Sequence, residues 1–362
     1  MKTFRCECGN TLYFPNTQCL RCQRMVGYLP DLQRISALEP ADNQQWLALA
    51  NRERYRQCRN FTNYQVCNWM VPASDESPFC ASCRLNHIIP NLTDDQNLTR
   101  WGRIEQAKRR LLYTLYALRL PVIGRTAETP NGMGFEFLQD EVQHDVFSNE
   151  LTILNNVTTG HRAGMITINV LEAEHAEREA MREKMNERYR TLLGHFRHES
   201  GHFYWELLIR NSRHLEEFRQ HFGDERLDYQ QALNTYYDQG PLPDWQQYYI
   251  SAYASMHPWE DWAESWAHYL HMVDTLETAD DLGVKIHPDE DDAPVDSEAL
   301  SSKAGIPPDR FEYLFAEWHT LTTTLNALNR SMGLEDAYPF IIGDNAAAKL
   351  EFVHRVIRQA TT

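Results

Sequence analysis

His195-Phe-Arg-His198-Glu199-Ser-Gly-His202 is the stretch on which the reading of this 362-residue chain turns. Its core has the pattern H-E-x-x-H. On a helix, residues four apart share a face, so His198 and His202 are predicted to point two imidazoles at one metal ion. Glu199 then stands beside that metal, where a carboxylate can take a proton from water. The flanks suit a helix. Arg188 to Arg210 contains no proline, and Leu192, Leu193, Phe196, Phe203 and Leu207 supply a buried stripe. His195, three residues before His198, falls on a neighbouring face and reads as a supporting side chain, not a ligand.

Catalytic zinc usually has three protein ligands and an open position, so a third ligand is required. The best candidate lies in Tyr253-Ala-Ser-Met-His-Pro-Trp-Glu260-Asp-Trp-Ala-Glu264-Ser-Trp-Ala-His268. Pro258 suits a helix start, and Glu260 and Glu264 sit one turn apart on the helix that follows. Glu260 is placed to bind zinc, and Glu264 to accept a hydrogen bond from a ligand imidazole. Trp259, Trp262, Trp266 and Tyr269 crowd the same segment, so part of it is buried and its carboxylates need partners.

These residues resemble the gluzincin arrangement of zinc peptidases, H-E-x-x-H followed by a distant glutamate ligand. The resemblance implies Glu260 as ligand and Glu264 as the residue that orients a ligand. It also places Tyr253, seven residues before Glu260, like the tyrosine that assists catalysis in the anthrax lethal factor type of gluzincin. More closely, LLGHFRHESGHFYW (192–205), YISAYASMHPWEDWAESWAHYLHMVDTLETA (249–279) and LNALNRSMGLEDAYPF (325–340) resemble a bacterial family of zinc-binding metallopeptidases with an N-terminal zinc ribbon. That likeness covers nearly the whole chain. It implies a fold and a zinc site, and brings no substrate.

All eight cysteines precede residue 84. Cys6-Glu-Cys8 and Cys19-Leu-Arg-Cys22 read as a zinc ribbon closed by four thiolates, which can fold a segment too short to own a core. Cys58, Cys67 and Cys80-Ala-Ser-Cys83 make a second set, either a separate site or one cross-braced with the first. Met1-Lys-Thr-Phe-Arg-Cys6 has no signal-peptide core, so the paired spacing points to reduced, metal-bound thiolates in the cytoplasm. No apolar run approaches transmembrane length.

Between the cysteine sets, Leu38, Trp46, Leu47 and Leu49 recur at roughly helical intervals and predict a helix within Gln33–Tyr55. Ile88 to Asp95 is rich in turn-forming residues, which divides the chain into a zinc-ribbon module, 1–90, and a metallopeptidase domain, 91–362. Arg103 to Leu120 reads as an amphipathic helix with Lys108-Arg-Arg110 on its solvated face. Met165 to Leu171 alternates as a strand, and by likeness to gluzincins it is the candidate edge strand for pairing with substrate. Pro288 to Asp296 is an acidic loop punctuated by proline.

Charge divides unevenly. Residues 1–120 hold 16 Lys and Arg against 10 Asp and Glu, a balance of +6, and the remainder holds 19 against 41, a balance of −22. A basic ribbon end suits RNA, DNA or an acidic protein, but the acidic body opposes a large nucleic-acid footprint. The sequence therefore predicts an α+β, mostly helical protein: one or two zinc ribbons before a gluzincin-like peptidase domain, with one catalytic zinc and one or two structural ones. Glu199 acts as general base and Tyr253 as oxyanion donor on a peptide or protein substrate, and the ribbons dock that substrate or a protein partner. The competing readings are an adaptor whose zinc sites only brace a binding surface, and a nucleic-acid binder working through the ribbons.

Overall fold

Where the sequence spacing predicts a helix between the two cysteine sets, the chain forms a sheet. In this computed structural model, which describes residues 2–144, 151–155, 157–184, 187, 190–286 and 310–360, a short hairpin of β1 (Phe4–Arg5) and β2 (Thr11–Leu12) carries the first cysteines. Then β3 (Val26–Leu29), β4 (Arg34–Pro40), β5 (Trp46–Ala48), β6 (Arg54–Gln57) and β7 (Met70–Pro72) pair antiparallel in chain order. Two turns explain the departure from a helix. Asn43 and Gln44 take φ of 59° and 58°, and Arg52 takes 62°, left-handed values that close hairpins and end helices. Leu38 and Ala48 face each other across β4 and β5 and join Leu29, Tyr55 and Met70 in one core. The apparent helical spacing came from summing residues on successive strands. A one-and-a-half-turn helix, α1 (Arg59–Tyr64), begins at Cys58.

The chain divides into two compact units, Met1–Met185 with Arg190–Phe203, and Asn186–Tyr189 with Tyr204–Thr362. In the first, β8 (Asn86–Ile88), on the ribbon side of residue 90, pairs in parallel with β9 (Gly134–Leu138). A hairpin of β10 (Glu141–His144) and β11 (Leu151–Asn155) follows. Two further strands, β12 (Gly160–Arg162) and β13 (Met165–Asn169), complete a four-stranded sheet in the order β12-β13-β9-β8. Thus β13 is an interior strand, paired antiparallel to β12 and parallel to β9. It is not the edge that substrate pairing would need. The short β12 occupies that edge.

The long helix α2 (Asp95–Ala117) starts at Asp94, whose side chain accepts from the Gln96 amide. Aromatic groups from the cysteine-rich segment meet it along its length: Tyr64 on Trp101, Phe14 and Tyr28 on Tyr113, and Trp69 on Tyr116. Its basic run is not a solvated face. Lys108 is fully buried and Arg109 nearly so. Lys108 pairs with Glu105 at 3.0 Å and lies over the rings of Phe135 and Phe137 on β9. Both cations have buried partners, which is why burial is tolerated. The unit continues through α3 (His175–Lys184) into the start of α4 (Leu192–Leu208).

The second unit contains only helices among its described elements: α5 (Leu215–Phe222), α6 (Tyr229–Gln239), α7 (Pro258–Asp281), α8 (Phe311–Ser331) and α9 (Asp344–Ala360), with short 3-10 turns at Trp245–Gln247 and Tyr253–Ser255. Phe218, Phe222, Trp262, Trp266 and Phe352 are buried together. Lys349 on α9 holds the buried Asp261 of α7 at 2.6 Å and donates to the Tyr248 carbonyl. The acidic loop at 288–296 lies outside the described residues. No described helix is long and apolar enough to cross a membrane.

Candidate active site and metal centres

The eight cysteines form two separate groups of four and no disulfide. Cys6, Cys8, Cys19 and Cys22 make one; Cys58, Cys67, Cys80 and Cys83 make the other, so the sets are not cross-braced. Tetrahedral zinc at about 2.3 Å from each sulfur requires sulfurs about 3.8 Å apart. The Cys6–Cys22 and Cys8–Cys19 sulfurs lie 3.7 and 3.6 Å apart, and Cys67–Cys80 3.7 Å. Backbone amides supply the rest of each knuckle in the second group. The N–H groups of Trp69, Cys80 and Cys83 point at the sulfurs of Cys67, Cys58 and Cys80. Both groups therefore fit zinc.

The second group is buried against α2. The Cys83 thiol meets Glu105 at 3.9 Å, and Glu105 also accepts from Trp101 Nε1, Asn86 Nδ2 and Lys108. Arg109 donates to the Val66 carbonyl beside Cys67 at 2.7 Å. Burial opposes the Arg109 charge, but nearby Cys67, Glu105 and Cys83 outweigh it and raise its pKa. A four-thiolate zinc carries net negative charge, and two buried cations stand ready to offset it.

The H-E-x-x-H segment is helical, as its pattern predicts. Thr191 caps α4, its hydroxyl accepting from the Gly194 amide at 2.9 Å. Glu172, just after β13, clamps the start of the helix by pairing with Arg190 at 2.9 Å and His195 at 3.1 Å. Burial works against the Glu172 charge, but these two partners hold its pKa down to about 2. His195 is thus a supporting residue. Phe196 packs on Phe135 of β9, which anchors the helix to the sheet. The rings of His198 and His202 stand 4.9 Å apart at 84°, and Glu199 is 7% exposed. His161 on β12 lies 6.3 Å from the His202 ring. Burial, with His202 nearby, depresses its pKa to about 3, so it stays a neutral imidazole. Its Nε2 accepts from the Gly164 amide and fastens the β12–β13 turn.

In the second unit, α7 starts at Pro258 as the sequence predicts, with His257 as its cap. Glu260 is 1% exposed and accepts from the Tyr229 hydroxyl at 2.9 Å. Glu264 accepts from the Ser251 hydroxyl at 2.6 Å. Tyr253 begins a 3-10 turn. Burial first, then the charge of Glu260, pushes its phenol well above the usual tyrosine range, so it keeps its proton.

Residues 97–356 match the model of a family described as "Putative zinc-binding metallo-peptidase". The chain belongs to this family. Residues 3–94 match a zinc-ribbon domain. Uncharacterised proteins of Mycobacterium bovis and Mycobacterium tuberculosis are 38% identical to it over 359 residues, which cover 99% of this chain and 95% of theirs. No solved structure matches it. The zinc-ribbon match ends at residue 94 and the metallo-peptidase match begins at residue 97, whereas the compact units divide in and around α4.

Two residues near Glu260 carry no sequence motif for their place there. Tyr229 lies 31 positions before Glu260 in a segment that reads as an ordinary polar helix. His257 could have been found, since a histidine directly before proline at a helix start is a capping position.

Proposed function

We propose that this chain is a zinc-dependent peptidase whose catalytic metal is held by His198, His202 and Glu260. The observation that carries the reading is the H-E-x-x-H pair presented on a single turn of α4, for which the buried Glu260 carboxylate on the first turn of α7 is the third ligand that we assign. Two imidazoles and one carboxylate suit catalytic zinc, and the residual open position distinguishes such a set from the closed four-thiolate sites. Zinc, when bound there, supplies Lewis-acid chemistry.

The chain's own groups do the proton work. Glu199 takes a proton as a water oxygen attacks the peptide carbonyl carbon, and returns it to the nitrogen as the C–N bond breaks. Tyr253, neutral at physiological pH, has a hydroxyl proton to offer the developing oxyanion. Glu264 orients a ligand imidazole while Ser251 holds its other oxygen. The gluzincin assignment rests on this order of residues. The ribbons dock a protein substrate or partner, and nucleic acid is not the target, given the −22 balance beyond residue 120. Free, paired thiols suit a reducing compartment, the cytoplasm.

The test combines zinc content with cleavage of a peptide library. Glu199→Gln should keep its zinc and lose about two to four orders of magnitude in turnover. Glu260→Ala should lose the metal of this site instead. If Glu199→Gln performed like the wild type in every assay, the protein would be an adaptor. Loss of zinc in Glu264→Ala but not in Glu260→Ala would move the ligand by one helical turn.

A further inference from the structure

Tyr229 is the first residue of α6, and its place is determined by a chain of contacts at the start of α7. The Trp259 amide donates to His257 Nδ1 at 3.1 Å, so that nitrogen must carry a lone pair. His257 Nε2 therefore holds the proton and donates it to the Leu227 carbonyl at 3.1 Å. One imidazole thus ties the residue two before Tyr229 to the residue before Glu260. The Tyr229 ring is then wedged edge-on against His257 at 5.3 Å and Trp259 at 6.1 Å. From that seat its hydroxyl reaches Glu260 Oε1 at 2.9 Å. A carboxylate can only accept, so Tyr229 is the donor.

We propose that Tyr229 is a positioning residue for the third zinc ligand: its hydroxyl fixes one oxygen of Glu260, and with it the plane and rotamer of the carboxylate. This rests on the reading of Glu260 as a ligand. Glu260 is a long side chain at the first turn of a helix, with several rotamers open to it before a partner selects one. Residues that orient a metal ligand typically contribute 10–100-fold to metal affinity.

The experiment uses the full chain and zinc itself as the probe. Zinc is titrated against a chromophoric chelator in wild type, Tyr229→Phe and Glu260→Ala, with the cysteine-bound ions counted separately after thiol modification. Tyr229→Phe retains the ring wedged between His257 and Trp259, so a purely packing role would leave affinity unchanged. The expected result is a loss of about 10–100-fold in affinity at one site, with the cysteine-bound zinc and the circular dichroism spectrum unaltered. Unchanged affinity in Tyr229→Phe, with the site lost in Glu260→Ala, would overturn the role of Tyr229 and leave the metal reading standing. Unchanged affinity in both variants would remove Glu260 from the site, and the positioning role with it. A Tyr229→Phe chain that fails to fold at saturating zinc would make the hydroxyl a folding group and also overturn the assignment.

Discussion

Removing residues 1–90 should unfold much of the first compact unit, although a family boundary falls close to that point. Three aromatic side chains of α2 lose the rings they touch: Trp101 loses Tyr64, Tyr113 loses Phe14 and Tyr28, and Tyr116 loses Trp69. Trp101 and Tyr113 are at most 1% exposed in the whole chain. An aromatic side chain buries about 150–250 Å². If truncation re-exposes roughly 100 Å² at each of the three, the apolar cost at about 25 cal/mol per Å² is about 7–8 kcal/mol. Glu105 and Lys108 lose Asn86, and Arg109 loses the Val66 carbonyl, leaving buried charges short of partners. β9 also loses its neighbour β8. The total is comparable to the whole stability of an ordinary domain, about 5–15 kcal/mol. The assay is expression of 91–362 beside the full chain, with near-ultraviolet circular dichroism, dye binding to exposed apolar surface and a denaturant titration. A soluble fragment with a native near-ultraviolet spectrum, no dye binding and a single cooperative transition close to that of the full chain would refute the reasoning.

Three further outcomes are expected. Protein purified without chelator should carry three zinc ions; Cys19→Ser and Cys80→Ser should each remove one, and only Cys80→Ser should lower the melting temperature of α2's unit severely, because its site is fully buried against that helix. Glu172→Gln should cost up to about 3 kcal/mol near neutral pH, since a pKa held to about 2 against an ordinary value near 4.3 stabilises the folded ion. That contribution is fully present above about pH 4.3 and is lost as pH falls toward 2, so the wild type and variant should converge in acid melts. Lys349→Met should cost about 3–5 kcal/mol in denaturant titrations by stranding Asp261, and adding Asp261→Asn should recover much of the loss.

The sequence disclosed the helices that carry the candidate site far better than the scaffold. H-E-x-x-H is a local pattern whose meaning depends only on helical periodicity, and α4 and α7 begin and run as their caps and apolar stripes predict. The thiolate sets were legible for the same reason, because a knuckle is a turn of three or four residues. What was not legible depends on partners distant in sequence. Lys108 and Arg109 look solvent-facing until Asn86 and the Val66 carbonyl are brought to them. β13 reads as a strand, but its interior position is fixed by β9 and β12, which its own residues do not reveal. The false helix between Gln33 and Tyr55 had the right apolar count and the wrong turns. Tyr229 carries no motif at all.

The burial of the second cysteine group against α2 has a consequence for synthesis. The eight thiols leave the ribosome first, yet the cations that neutralise Cys58, Cys67, Cys80 and Cys83 follow on α2, and the strand that completes the sheet ends at Asn169. At about 5–20 residues per second, the interval from Cys83 to Asn169 lasts roughly 4–17 s. During that time the nascent chain presents a half-built metal cradle backed by no more than the small core of β3–β7. Zinc bound to the nascent chain would then help to hold this segment before α4 had been translated.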